Sequence, residues 1–362
     1  DAGKIRNTID SLNVHMSKKE NAAKYFDKQE LHFDAIFADS TCVKAPIHFP
    51  VDWVLLRDSV RSLTLAILRI REQGLKHRMP DPENFISKIN SLCISMSHST
   101  GKPDSKKRRK KIFRQMKQLT HIIESHAQRY HCLLSEKWET TQWTQVQAQQ
   151  VLMRLTNILD KLPQAIDQAS KRIIGECKVP TKDKLLSMYE DYVHVIVRGK
   201  SGARVEFGNS LYLAEQEDGI IVDYELTKES PPHDSKQVEQ SIDRIQKCHG
   251  DVLSYTADRG FHSPENSELL ENRNIVNGIC PKGVTELTRR LEDDEFCILQ
   301  KRRAQTEARI GIFKNCYINN PLRCKGFENR KQFVAFSVLT HNLWKYGVMT
   351  REAEYKRIKE AA

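Results

Sequence analysis

The spacing of apolar residues changes twice along the chain, and this limits the folds that the chain can adopt. Residues 32–47 have the β-branched and aromatic content of a strand. Residues 51–177 then carry apolar residues at helical spacing, and strand-like segments return only near residue 192. Because strands before and after a helical stretch can share one sheet, we predict an α/β core interrupted by a large all-helical insertion after its first strand.

The segments after residue 190 predict an antiparallel meander and then alternating helices and strands. We predict strands over 192–197, 205–207, 211–214, 220–226, 252–257 and 275–280. We predict a turn over 198–202 and a hairpin turn at Asp218-Gly219. The predicted helices cover 236–248, a segment that starts at Ser263-Pro264, 294–315 and 329–346. The predicted domains are a helical N-terminal segment over 1–31, a catalytic core over 32–50 and 178–347, an insertion over 51–177, and a C-terminal tail over 348–362.

The charge balance favours a polyanionic partner. The 362 residues include 58 Lys and Arg against 47 Asp and Glu, a net charge of +11. The nine cysteines form no Cys-x-x-Cys pair, which argues against a disulfide framework or a zinc module and favours reduced thiols in a cytosol. We expect no membrane partner, since no long apolar run occurs. The chain begins at Asp1 rather than Met, so we expect that an upstream domain precedes it.

Three acidic residues lie where a free carboxylate is costly or unusual. Asp39 ends the apolar run 33–38, Asp258 ends the run 252–257, and Glu307 lies in a basic helical stretch. Ligands gather at the carboxyl ends of strands in open α/β sheets. If the three acids meet there, they form a site for Mg²⁺ or Mn²⁺, and two such ions could act on a phosphodiester. Without metal, repulsion should raise the pKa of at least one carboxylate.

The basic stretch has a spacing that suits a phosphate. Arg303, Glu307 and Lys314 stand at i−4, i and i+7, so an α-helix would place them on one face. An acid that binds metal and is flanked by two cations suits a scissile phosphate lying between them. The alternative is an ordinary Arg–Glu ion pair on a helix surface.

Three blocks of residues resemble, in order, those of the DDE transposases of bacterial insertion sequences, in the assemblage of insertion sequences 4 and 5. The segment 37–41 resembles the block around the first acid, and 256–261 resembles the block around the second. Arg303-x3-Glu307-x6-Lys314 reproduces most of the Tyr-x2-Arg-x3-Glu-x6-Lys pattern around the third.

Two further details refine the resemblance. Gln300 stands where the pattern has Tyr, a residue that contacts DNA in relatives, so the way in which the DNA end is held is in doubt. Gly199-Lys200 and the segment 205–208 resemble a subgroup that is often placed among the unclassified insertion sequences.

The resemblance implies an RNase H-like core with Asp39, Asp258 and Glu307 as catalytic metal ligands. It also implies that Arg259, Arg303 and Lys314 lie near DNA. Family members cut DNA at transposon ends with a metal-activated water, and a freed 3′-hydroxyl then attacks target DNA. They act in the bacterial cytoplasm, associated with the nucleoid, as homodimers or larger assemblies on DNA.

Other features have a functional and a structural interpretation. The cations Lys106, Lys107, Arg108, Arg109, Lys110 and Lys111 are predicted to contact DNA phosphates, or else form a solvated helix start. His233 and Asp234 are candidate accessory residues of the active site, because similar His-Asp pairs occur in relatives. The alternative is that Asp234 or Ser235 caps the following helix.

Two rival functions remain open. An RNase H-like nuclease would hydrolyse DNA without joining it, and a domesticated transposase would bind DNA without cutting it. For the last helix we predict core packing by its apolar residues at helical spacing: Phe333, Phe336, Leu339, Leu343 and Trp344.

Overall fold

A computed structural model describes residues 1–99, 104–200, 203–229, 233–319 and 321–361. It divides the chain into two compact units, one formed by Asp1–Pro46 with Tyr192–Ala362 and the other by Ile47–Asp191. The end of the turn predicted over 198–202 lies outside the described residues. Within them, no helix is both long and apolar enough to cross a membrane.

The described residues form eleven α-helices and six strands, a mixed α/β structure. The helices are α1 (Ala2–Ser17), α2 (Lys19–Phe26), α3 (Asp52–Glu72), α4 (Glu83–Ser97), α5 (Ser105–Lys137), α6 (Gln145–Ile173), α7 (Gln237–His249), α8 (Pro264–Asn272), α9 (Val284–Arg290), α10 (Asp294–Ile312) and α11 (Phe327–Ala361). The strands are β1 (Ala35–Lys44), β2 (His194–Lys200), β3 (Ala203–Glu215), β4 (Ile221–Leu226), β5 (Ser254–Thr256) and β6 (Val276–Asn277).

All six strands form one mixed sheet in the first unit. Its order is β2-β3-β1-β5-β6, and β4 also pairs with β3. Strand β1 runs antiparallel to β3 and parallel to β5, and β5 runs parallel to β6. The predicted mixture of an antiparallel meander with parallel strands is therefore present.

Strand β3 corrects one prediction. The two short strands predicted over 205–207 and 211–214 are one strand, Ala203–Glu215. The polar residues between them stay in the ladder, where Asn209 pairs with Val43. The Asn209 side chain is fully buried and donates to the carbonyl oxygens of Tyr192 and Thr227 at 2.7 and 3.0 Å, so its polarity does not end the strand.

The predicted turn and cap residues lie where expected. Gly219 has a φ of +88° in the turn between β3 and β4, as the Asp-Gly signal predicts. Ser263 caps α8 by accepting a hydrogen bond from the Asn266 N–H, and Pro264 occupies the first turn.

The last helix differs from the prediction in length and in orientation. It continues through the predicted tail to Ala361, and Met349 and Ala353 in its last turns are buried. The residues predicted as core lie mostly on its outer face: Phe333, Phe336, Leu343 and Trp344 have exposed fractions of 37%, 51%, 52% and 62%. Leu339 alone among the five is partly buried.

The orientation of α11 differs from the prediction because the helix carries apolar residues on two faces. The spacing of apolar residues does not indicate which of these faces packs inward. The buried face carries Val334, Ala335 and Val338 together with polar residues that bind the sheet. Among these, Asn342 accepts a hydrogen bond from the Ile221 N–H at 2.9 Å and donates to the Ile221 carbonyl oxygen at 2.8 Å. Polar residues on the inner face of α11 are therefore hydrogen-bonded to the sheet.

The second unit is a helical bundle of α3, α4, α5 and α6 around its own apolar core. It extends beyond the predicted insertion, 51–177, at both ends. Residues 178–191 pack on the bundle, because the Leu185 N–H donates to Gln168 at 2.8 Å and the Tyr189 hydroxyl donates to the Asp58 carbonyl oxygen at 3.1 Å.

Candidate active site at the strand ends

Parallel pairing of β1 with β5 brings two of the three acids to the same edge of the sheet. Phe37 pairs with Thr256 at the end of the shared register. Asp39 and Asp258 each follow two residues later, so they leave neighbouring strands at the same level. Helix α10, which carries Glu307, packs against both strands. The structure therefore gathers the three predicted acids in one region.

Asp39 lies in an unfavourable environment for a negative charge. Burial raises the pKa of Asp39 to about 6, and the negative charges of Asp258 and Glu307 add to the rise. A 2.7 Å hydrogen bond from the Ser40 N–H and the positive charge of Arg303 oppose it. The pKa of one carboxylate, Asp39, is thus raised; burial is the main cause, and the charges of Asp258 and Glu307 make smaller contributions.

Asp258 has a second acid close beside it. Its Oδ1 accepts a 2.7 Å hydrogen bond from the Gly260 N–H. A Cβ on Gly260 would lie 3.0 Å from that oxygen and 2.9 Å from Oδ2 of Asp234. Both carboxylates therefore surround one point, and only glycine fits there without displacing them.

Asp234 thus lies beside the candidate site, whereas His233 is exposed at the start of a short 3₁₀ turn, Asp234–Lys236. Neither Asp234 nor Ser235 occupies the N-cap position of α7, which was the alternative role. The residue at the cap of α7 is Lys236, and no side chain provides a capping hydrogen bond there.

Glu307 is held by the arginine four residues before it. Arg303 donates to Glu307 at 2.8 Å, and the Glu307 side chain is 58% exposed. Arg303 also donates to the amide oxygen of Gln300 at 3.1 Å, and the Gln300 amide donates to the Gly278 carbonyl oxygen at 2.6 Å. Gln300, the departure from the family pattern, therefore links Arg303 to the strand ends.

The other two predicted cations differ in their surroundings. Arg259 follows Asp258 directly and is exposed. Lys314 lies beyond the end of α10, in the π-helical turn Phe313–Ile318. A π turn has a wider hydrogen-bonding interval than an α-helix, so the one-face spacing predicted from Arg303 to Lys314 does not apply unchanged. Gly311 lies between Arg303 and Lys314 in the sequence. A Cβ there would meet nothing within 4 Å, so the space beside α10 at this position is open.

Sequence reasoning missed the buried acid that attaches α10 to the sheet. Glu215 ends β3 opposite Phe37 and is 5% exposed. Its Oε1 accepts hydrogen bonds from Arg302 at 3.1 Å, from Thr306 at 2.8 Å and from Arg309 at 3.0 Å. All three donors lie on α10, on either side of Glu307. A signal existed, because Glu215 also ends an apolar run, 211–214, as Asp39 and Asp258 do.

The acids do not form a complete set of metal ligands as they stand. Within the described ranges, no three His, Cys, Asp or Glu side chains are close enough together to hold one metal ion. Asp39 and Asp258 fit a divalent cation by chemistry, since they offer oxygen ligands whose repulsion a cation relieves. Glu307 would complete the set only after leaving Arg303.

The predicted basic run lies in the second unit, on the first turns of α5, and its six cations divide into two groups. Lys106 and Lys110 pair with Glu176 at 2.7 and 2.8 Å, and the Arg109 guanidinium lies 5.0 Å from the centre of a Trp53 ring. Lys107, Arg108 and Lys111 are exposed. Three of the six cations therefore serve contacts within the unit, and the other three face solvent.

A comparison with protein families supports a transposase. Residues 209–343, somewhat more than a third of the chain, match a family described as "Transposase DDE domain". The matched stretch contains Asp258 and Glu307 and begins after Asp39. It supports a DDE transposase in general and does not distinguish the insertion-sequence subgroup. No curated protein and no solved structure matched the chain.

The role of Glu215 can be tested by unfolding. Glu215→Ala should lower the free energy of unfolding by about 3–5 kcal/mol, because it leaves the Arg302 and Arg309 guanidinium groups without their buried partner. Glu217→Ala is the matched control, since Glu217 is exposed two residues later and should change stability by less than about 0.5 kcal/mol. Urea unfolding of both variants measures this, and equal losses would contradict the assignment.

The raised pKa of Asp39 predicts a pH dependence of stability. The folded pKa, about 6, exceeds the unfolded one, so the folded state binds the proton more tightly and the metal-free protein loses stability as pH rises from about 4 to 6. Asp39→Asn should remove this loss and stabilise the metal-free protein at pH 7 by up to about 3 kcal/mol, the energy that corresponds to a pKa rise from 3.8 to about 6.

Urea unfolding in a chelator at pH 4.5 and pH 7 measures the effect. Glu295→Gln, an exposed acid on α10 of the same unit, is the control and should leave the difference between the two pH values unchanged. An Asp39→Asn protein that is less stable than wild type at pH 7 would show that Asp39 is not repelled by its neighbours.

Proposed function

We propose that the protein is a DDE transposase that cuts DNA at the ends of a mobile element and joins the freed 3′-hydroxyl to target DNA. The observation that carries this proposal is the position of Asp39 and Asp258 at neighbouring strand ends beneath the helix of Glu307. The family match over 209–343 supports it, as does the net charge of +11. The mixed sheet is consistent with an RNase H-like core interrupted by the helical unit.

In this proposal Asp39, Asp258 and Glu307 are the metal ligands. Two Mg²⁺ or Mn²⁺ ions bound there would activate the attacking water and stabilise the leaving oxygen. Asp39 and Asp258 supply the first carboxylates, and the Asp39 side chain loses its proton more readily once a cation offsets its neighbours. Asp234 Oδ2 and Asp258 Oδ1 lie 2.9 and 3.0 Å from one point beside Gly260, so a water held between them would contact both carboxylates.

In this proposal the Arg303 guanidinium exchanges one partner, the Glu307 carboxylate, for another, a phosphate of the DNA. When Glu307 turns toward the aspartates, the Arg303 guanidinium is released, and its forked donors suit a phosphate of the scissile strand. Gln300 keeps the Arg303 side chain over the strand ends during this exchange, because its own amide is fixed to the Gly278 carbonyl oxygen. Exposed Arg259 is a second phosphate contact beside Asp258.

Two rival functions predict different products. A nuclease on the same fold would cut DNA and never join it, whereas a domesticated protein would bind DNA and not cut it. A strand-transfer assay with pre-cut element ends separates the three, because only a transposase gives joined product.

The catalytic assignment predicts the effect of two conservative changes. Asp258→Asn and Glu307→Gln should each lower metal-dependent DNA cleavage by about 1,000-fold or more, since each removes a metal ligand that contributes several kcal/mol in the transition state. Glu295→Gln, an exposed acid on the same helix as Glu307, is the matched control and should keep wild-type cleavage. Cleavage that survives either of the first two changes would remove that residue from the site.

The exposed cations of α5 predict a salt effect on DNA binding. Replacing Lys107, Arg108 and Lys111 with alanine should weaken binding and reduce the slope of log K against log salt by about 2–3, one unit for each lost phosphate contact. Lys106→Ala with Lys110→Ala is the control, because these lysines pair with Glu176 and their loss should leave the slope nearly unchanged. Equal slopes in all three proteins would contradict a phosphate-binding role.

A further inference from the structure

The outer face of α11 is an apolar surface on an otherwise highly charged chain. Charged residues make up 29% of the sequence, yet the thirteen residues from Gln332 to Trp344 include no Asp, Glu, Lys or Arg. Four large side chains of this stretch or its edge are exposed: Phe333, Phe336, Leu343 and Trp344. Contiguous exposed apolar surface of this kind marks an interaction site.

The exposed residues form a defined stripe, which we call the outer stripe: Phe333, Phe336, Thr340, Leu343, Trp344 and Gly347. At 100° per residue, these positions span an arc of about 100°. The buried residues Val334, Val338 and Asn342 lie on the opposite side of the helix. The stripe is about 21 Å long, at a rise of 1.5 Å per residue.

We propose that the outer stripe is the contact between two copies of this chain, which meet through antiparallel α11 helices on a two-fold axis at Thr340. The stripe has the symmetry that such an interface needs, because a two-fold contact requires a surface that is complementary to itself. Positions equally distant from Thr340 in opposite directions along the helix face each other across the axis.

The facing pairs are complementary in size. Phe333, seven residues before Thr340, faces Gly347, seven residues after it. A Cβ on Gly347 would meet nothing within 4 Å, so this position offers room for an aromatic ring from a neighbour. Phe336 faces Trp344, and aromatic pairs of this kind add to the burial of their surface. Thr340, at the axis, is small enough to let the helices approach.

The lack of charge on this surface favours a second copy there, and the apolar area shows how much flanking surface must also take part. The four exposed apolar side chains offer roughly 400 Å² on each copy, about half of the ~800 Å² that a stable interface takes from each partner, before the flanking residues are counted. A chain of net charge +11 repels its own copy, and repulsion is least where the facing surfaces carry no charge.

Analytical ultracentrifugation of the protein alone tests the proposal. Wild type should be a dimer at micromolar concentration. Phe336→Glu with Trp344→Glu should raise the dissociation constant at least 100-fold, because like charges then face each other across the axis. Leu291→Glu with Ile298→Glu is the matched control, since both residues are exposed apolar residues on other parts of the same unit, at 54% and 65%, and this variant should remain dimeric.

A mixing experiment tests whether the stripe meets its own copy. Phe336→Lys with Trp344→Lys should also be monomeric, whereas a 1:1 mixture of the Glu and Lys variants should recover a dimer. Circular dichroism checks that both fold. If they do not, Thr340→Glu provides a milder change that places two carboxylates at the axis and should dissociate the dimer.

A monomeric wild type, a dimer that survives the Glu variant, or a mixture that stays monomeric would each overturn the proposal. The measurement uses neither DNA nor metal. Its outcome is therefore independent of whether the protein cleaves or joins DNA.

Discussion

The position of the candidate site depends on the buried carboxylate of Glu215. Helix α10 carries Glu307, and three of its side chains converge on Glu215 Oε1 within 3.1 Å. Arg302 also lies over the Phe37 ring, 4.4 Å from its centre, on the strand that leads to Asp39. Because a buried charge with fewer donors would be costly, these contacts set both the register and the rotation of α10 on the sheet.

Two acids at strand ends in this unit, Glu215 and Asp39, have opposite electrostatic surroundings. Glu215 is surrounded by hydrogen-bond donors and cations, so its charge contributes to the fold. Asp39 is buried with one backbone N–H as a hydrogen-bond donor, and this burial, together with the negative charges of Asp258 and Glu307, raises its pKa to about 6. The fold thus surrounds the Glu215 carboxylate with cations and leaves the Asp39 carboxylate beside other negative charges. Such an exception to local consistency is typical of functional sites.

Periodicity predicted most helices and strands, and the apolar runs that Asp39 and Asp258 end predicted that both acids follow strands, because both signals are local. The contacts of Glu215 could not be read in this way, since its partners on α10 lie 87 to 94 residues away in sequence. The role of Gln300 was hidden for the same reason. It appeared only as a missing tyrosine, whereas its amide joins Arg303 to the Gly278 carbonyl oxygen.

The orientation of α11 follows from hydrogen bonding rather than from apolar content. Both of its faces carry apolar residues, so apolar content alone does not decide which face packs on the sheet. Only one face carries Asn342, whose amide satisfies both the N–H and the carbonyl oxygen of Ile221. Turning that face outward would take Asn342 away from the Ile221 N–H, at a cost of about 1–3 kcal/mol, and would leave the Ile221 carbonyl oxygen with only the weaker hydrogen bond from Asn13 at 3.2 Å. The fold therefore directs Phe336 and Trp344 outward, and their apolar surface stabilises the protein only when something covers it.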